Sequence, residues 1–135
     1  MKYCIRKRDS ERGSAGVKFL LVLGILFLIA HAGYNYVPVA YSAESLRTDM
    51  QTAVLQGMAL PGKVNPVDNV KARIAKAIQL NDIPPEAIVY VKQAGNSLTA
   101  QVTYTKQVNI LPFGLYKYNY SFDYTATPTG FLLKQ

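Results

Sequence analysis

Twelve consecutive residues, Phe19 to Ala30, carry no polar side chain, and this run constrains the chain more than any other feature. It lies within a longer apolar and aromatic segment, Ala15 to Val39. Gly16 to Val37 is 22 residues, which as an α-helix is about 33 Å at ~1.5 Å per residue, enough to span a bilayer. Tyr34, Tyr36 and Tyr41 gather at the far end, where an interfacial aromatic belt would sit. Lys18 is placed to snorkel toward the near side. Residues 1–18 hold six basic side chains against two acidic ones, and the remainder nine against six, so the net charge of +7 is concentrated beside the apolar run. By the positive-inside rule this puts residues 1–15 in the cytoplasm, a signal-anchor helix at 16–38, and a domain at 39–135 outside it. Membrane lipid is then the first partner.

Two other readings compete with a retained anchor. A cleaved signal peptide needs a basic start, a short apolar core and small residues before the cut. Ala30-His31-Ala32 followed by Gly33 supplies such a site, with release after Ala32. Against it, the basic lead is long and apolar character continues to Val39. The third reading is prepilin-like processing near Gly13 or Gly16. The length of the segment favours the anchor. The lone cysteine, Cys4, precedes the apolar run, which excludes both an intrachain disulfide and a lipoprotein signal.

Beyond the segment the pattern predicts an α+β domain. Pro38 should kink or break the helix as it leaves the membrane, because proline lacks a donor and clashes with the preceding turn. A separate juxtamembrane helix is expected from Val39 to about Met58, with Ala43, Leu46, Met50, Ala53, Val54 and Met58 on one face. Leu60-Pro61-Gly62 should end it. Asn65-Pro66 with Asp68 reads as a helix start, and that helix should run to about Leu80, burying Val67, Val70, Ile74, Ala77 and Ile78. After the Pro84-Pro85 breaker the period becomes two: a strand at Ile88–Lys92, a turn at Gly95-Asn96, and a strand from Leu98 toward Ile110. Leu111-Pro112-Phe113-Gly114 is a tight connection to a third strand, with Tyr116, Tyr118, Tyr120, Phe122 and Tyr124 on one face. The expected sheet is a three-stranded antiparallel meander covered by the two helices. The apolar tail from Gly130 to Gln135 should dock on the domain.

Little in the chain suggests catalysis. The single histidine, His31, sits in the apolar segment, and the acids after it are scattered rather than paired. There is no phosphate-binding glycine loop. No enzyme, cofactor, metal, nucleic acid or small-molecule substrate is expected. Two features could serve binding. The Tyr-rich third strand could stack on a ligand, although strict alternation more often marks a buried face. Ile110, Leu111 and Phe113 near one loop tip could press on a partner or the bilayer surface, or close the end of the core.

The stretch Arg12-Gly13-Ser14-Ala15-Gly16-Val17-Lys18-Phe19-Leu20-Leu21 resembles the start of type IV pilin-like and TadE-like proteins. Their apolar helix is both membrane anchor and assembly stalk. Such proteins usually carry a glutamate early in the apolar run, where this chain has Lys18. The whole chain is similar to an uncharacterised family of short bacterial single-pass membrane proteins with pilin-like N-termini. That likeness rests on Val37-Pro38-Val39-Ala40-Tyr41, Leu80-Asn81-Asp82-Ile83, Tyr104, Leu111-Pro112-Phe113-Gly114 and Phe122-Asp123-Tyr124. It implies a single-pass membrane protein of a bacterial host and adds no activity. The pilin-like start and the lack of catalytic groups together lead to the expectation of a structural or interaction role in the inner membrane, with copies of itself or other membrane proteins as partners.

Overall fold

A computed structural model describes residues 12–59 and 65–128. The expected Leu60-Pro61-Gly62 stop and the docking of the tail from Gly130 lie outside the described residues, as do residues 1–11 of the basic lead. The architecture is α+β: helix α1 (Arg12–Ala59), helix α2 (Pro66–Leu80) and strands β1 (Ile88–Ala94), β2 (Ser97–Asn109) and β3 (Lys117–Ala126). The strands form an antiparallel sheet in the order β1-β2-β3.

The break expected at Pro38 is absent. α1 is a single helix of 48 residues with Pro38 in its interior, so the anchor and the juxtamembrane helix are one element. An interior proline costs about 3 kcal/mol. Tertiary packing offsets it: Leu46, Met50 and Val54, all downstream of Pro38, are fully buried, and each such side chain contributes roughly 1.5–3 kcal/mol. The core requires residues 39–57 to be helical, and the apolar run upstream strongly favours helix, so both sides hold Pro38 in register.

α2 begins and ends as its local signals dictate. The Asn65 side chain accepts a hydrogen bond from the Val67 amide at 3.2 Å, Pro66 opens the helix and Asp68 lies in its first turn. At the other end Asp82 adopts a positive φ of 52° and the Ile83 amide donates to the Ile78 carbonyl at 3.1 Å. This is a left-handed helix stop with Asp82 in the place glycine usually takes, and Ile83 is tucked into the core behind it.

The core gathers Ala43, Leu46, Met50, Ala53 and Val54 of α1, Val70, Ile74 and Ala77 of α2, and one face of the sheet. Val67 and Ile78 are half-buried at its margin. α1 lies across β2 and β3, and α2 lies against β1. Met58, expected inside, is 43% exposed; Gly57 takes the buried place instead. A Cβ there would collide with the Cγ2 of Val70 and lie 3.3 Å from Leu98 Cδ2, so the glycine allows α1 to approach α2 and β2 closely. β1 and β2 join through a two-residue turn at Gly95-Asn96, with Ala94 opposite Ser97 and Gly95 at φ 59°.

Candidate functional site

Among the described residues, the stretch of α1 from Ala15 to Ala30 is left uncovered by the rest of the fold. Every residue from Ala15 to Ala30 is exposed, among them Val17, Phe19, Leu20, Leu21, Phe27 and Ile29. Among the described residues, one helix is long and apolar enough to cross a membrane, and none of its apolar window is buried in the fold. By length and composition it fits either a single-pass anchor or a signal sequence. The flank lined by Val17, Leu20, Leu21, Gly24, Ile25, Phe27 and Leu28 is almost wholly apolar. Lys18 is exposed on this stretch.

The next two turns change character. Ala30 is exposed, while His31, Ala32 and Gly33 are half-buried, all within the continuous helix. Asn35 Nδ2 donates to the His31 carbonyl at 2.9 Å and lies 3.2 Å from His31 Nε2. The three tyrosines divide. Tyr34 and Tyr41, seven residues apart, are 81% and 76% exposed. Tyr36 turns toward the sheet, its ring centroid 6.3 Å from Tyr118 and 6.0 Å from Tyr120, the latter edge-on.

The aromatic face of β3 is graded rather than uniformly buried. Phe122 is in the core, stacked 5.0 Å from Tyr104; Tyr120 and Tyr124 are half-buried; Tyr118 and Tyr116 are exposed. Gln51 Nε2 donates to the Tyr124 hydroxyl at 2.6 Å and Arg47 lies 4.7 Å over the Tyr124 ring. The gradient follows the cover given by α1, which is complete at Phe122 and gone by Tyr116. Burial pushes the Tyr104 hydroxyl up to about 12, with Tyr120 adding to the shift. Burial also raises Tyr120, reinforced by Tyr36. The Tyr104 hydroxyl has no hydrogen-bond partner among the described residues.

Between β2 and β3 the chain makes a single 3-10 turn at Pro112–Gly114, closed by the Ile110 amide donating to the Tyr116 carbonyl at 3.1 Å. Ile110 and Leu111 are half-buried and cap the end of the sheet. Phe113 is 98% exposed and Leu115 78%. The expectation for this loop thus splits by residue, and Leu115, which follows Gly114 and belongs to the same exposed cluster, was missed in the sequence pattern.

Elsewhere the polar groups serve the fold. Arg47 pairs with Glu44 at 3.0 Å and Lys106 with Asp82 at 3.2 Å, both at the surface. Asn81 bridges α2 to Asp49 of α1 at 3.0 Å, and Arg73 reaches Asn69 and Gln56. A shallow groove of about 320 Å³ between the helices is lined by Asp49, Thr52, Gln56, Arg73 and Lys76. Its acid and one of its cations are engaged in these bonds, which tie the two helices together. No cluster of three His, Cys, Asp or Glu side chains able to hold a metal occurs among the described residues. No family model, curated protein or solved structure matches the chain.

Proposed function

We infer that the chain is a non-enzymatic, membrane-anchored module of a bacterial envelope, held in the inner membrane by residues 16–38. Its basic N-terminus faces the cytoplasm and its α+β domain lies outside. Its role is to assemble with itself or with other membrane proteins through the anchor and the domain. The observation that carries this reading is the division of α1: one continuous helix whose first half is apolar and unpacked, and whose second half is a pillar of the core. In water an exposed apolar surface on that scale favours association; in lipid it needs no cover. In the pilin-like proteins that the N-terminus resembles, the apolar helix is both membrane anchor and assembly stalk. Lys18 departs from that pattern. A lysine one to two turns into the helix can reach the headgroups from a bilayer, whereas a dry helix-to-helix stalk would require an acidic partner for it.

The test is cell fractionation with intact-mass measurement and crosslinking in native membranes. A full-length chain of 14.9 kDa in the membrane fraction, crosslinked to itself or to another membrane protein, is the expected result. Only monomer after crosslinking would remove the assembly role. A soluble product beginning at Gly33 would replace the anchor with the second reading, a released periplasmic or secreted binding module. One observation keeps that reading in play: every buried core residue lies at or after Val39, so a cut after Ala32 leaves the core whole.

A further inference from the structure

The register of β3 along α1 fixes where the β2–β3 loop sits. Tyr118 and Tyr120 meet Tyr36, and Tyr124 meets Arg47 and Gln51. From Tyr118 to Tyr124 a strand advances about 20 Å, and from Tyr36 to Arg47–Gln51 a helix advances about 17–23 Å. β3 and α1 therefore run side by side in the same direction. Followed backward from Tyr118, the chain heads toward the apolar half of α1, and the turn at Pro112–Gly114 lies about one to two helical turns below Tyr36, beside the end of the apolar run. The half-burial of His31, Ala32 and Gly33, set against the full exposure of Ala15 to Ala30, marks the same level as the lower edge of the domain.

We propose that the β2–β3 loop is a second membrane contact, inserting Phe113 and Leu115 beside the anchor into the headgroup–acyl boundary of the outer leaflet, which then meets α1 near Ala30–Gly33, inside the 16–38 segment, rather than at its last residue. This rests on the anchored reading of α1. The loop suits the location in three respects. From Gln107 to Tyr116 there is no charged residue, and Lys117 stands at the base, where a cation meets anionic headgroups. Tyr116, amphipathic and exposed, occupies the adjoining interfacial position. Phe113 is held at φ 61° and Gly114 at φ 70°. The left-handed conformation is uphill for a residue with a Cβ, and Phe113 holds it with its ring almost fully exposed. Lipid is favoured over a protein partner because the exposed residues share a level with the end of the apolar helix, whose surroundings they would then share. The anchor and loop together make a two-point attachment that fixes the tilt of the domain.

The test uses the full chain with Cys4→Ser, reconstituted in phosphatidylethanolamine–phosphatidylglycerol vesicles, with single bimane-labelled cysteines at Phe113→Cys, Leu115→Cys, Thr103→Cys and Ile25→Cys. Lipids carrying a nitroxide near the headgroup should quench the probes at 113 and 115 several-fold more than the probe at 103 on the polar sheet face. Iodide in the water should do the reverse. Probes at 113 and 115 that iodide reaches as readily as 103 would overturn the proposal. So would probes shielded from both quenchers, which would place protein rather than lipid on the loop. The probe at 25 separates the two levels of the argument. Quenched by nitroxides deep in the acyl region while 113 is not, it leaves the anchor standing and removes only the loop contact; if 25 is not quenched, the anchored reading itself fails.

Discussion

Adding one methyl group at Gly57 should reverse its effect depending on what stands at residue 70. In an unobstructed helix interior, alanine is more favourable than glycine by about 1 kcal/mol. At Gly57 the new Cβ collides with the Cγ2 of Val70, which is fully buried, and sits 3.3 Å from Leu98 Cδ2 and 3.7 Å from the Pro66 carbonyl. Val70 cannot readily swing aside, because a β-branched side chain in a helix has one strongly preferred χ1 rotamer. Overpacking of this kind costs about 1–3 kcal/mol, so Gly57→Ala should destabilise the domain by about 1 kcal/mol net of the helix gain. Val70→Ala removes the obstructing methyl. In that background Gly57→Ala should stabilise by about 0.5–1 kcal/mol, giving a coupling of roughly 1.5–2 kcal/mol. The assay is urea unfolding of the full chain in mild detergent, followed by the near-ultraviolet circular dichroism of tyrosine, since the apolar half of α1 stays helical in a micelle and would mask a far-ultraviolet signal. If Gly57→Ala alone stabilises, or if the two substitutions add to within about 0.5 kcal/mol, the close approach of α1 to α2 is wrong.

Other outcomes follow from the same packing. Leu46→Ala, at a fully buried position of α1, should cost the domain about 2–5 kcal/mol in the same urea titration, while Leu20→Ala in the apolar half should leave the midpoint unchanged. Pro38→Ala should raise stability by up to about 3 kcal/mol, because it restores a helical hydrogen bond in an element that is already continuous; a fall would mean that the helix is broken there. Tyr104 ionises only near 12 in the fold, above the unfolded value near 10, so the folded state keeps the proton longer. Its contribution is complete below about pH 10 and is lost as pH rises through the folded value. Tyr104→Phe should therefore flatten the decline in the urea midpoint between about pH 10 and 12, while leaving the midpoint near pH 7 equal or higher, since a buried hydroxyl without a partner is removed.

The parts of the fold legible in the sequence were those set by short-range chemistry. Asn65-Pro66-Val67-Asp68 placed the start of α2, and Gly95-Asn96 placed the hairpin, because caps and tight turns depend on a few adjacent residues. Pro38 misled because its local rule was correct but outweighed; the burial of Leu46, Met50 and Val54 is long-range information. Gly57 was overlooked because a hydropathy pattern registers side chains, and this position matters by lacking one. The apolar segment was plain. The loop was half legible: Ile110, Leu111 and Phe113 read alike in composition, and what divides the half-buried pair from the exposed ring is the packing of the folded chain around the loop, which composition does not carry.

The passage of α1 through Pro38 has a consequence for how the domain comes to be folded. Starting a helix in water is unfavourable because several residues must be fixed before the first bond rewards them. On the anchored reading lipid removes that step, since a chain inside a bilayer has no other way to satisfy its backbone. The helix then needs only to propagate outward past Pro38, presenting Ala43, Leu46, Met50 and Val54 as a preformed ridge on which α2 and the sheet condense. The bilayer would act as a template for a domain it does not contain, and the excised domain should fold more slowly than the tethered one.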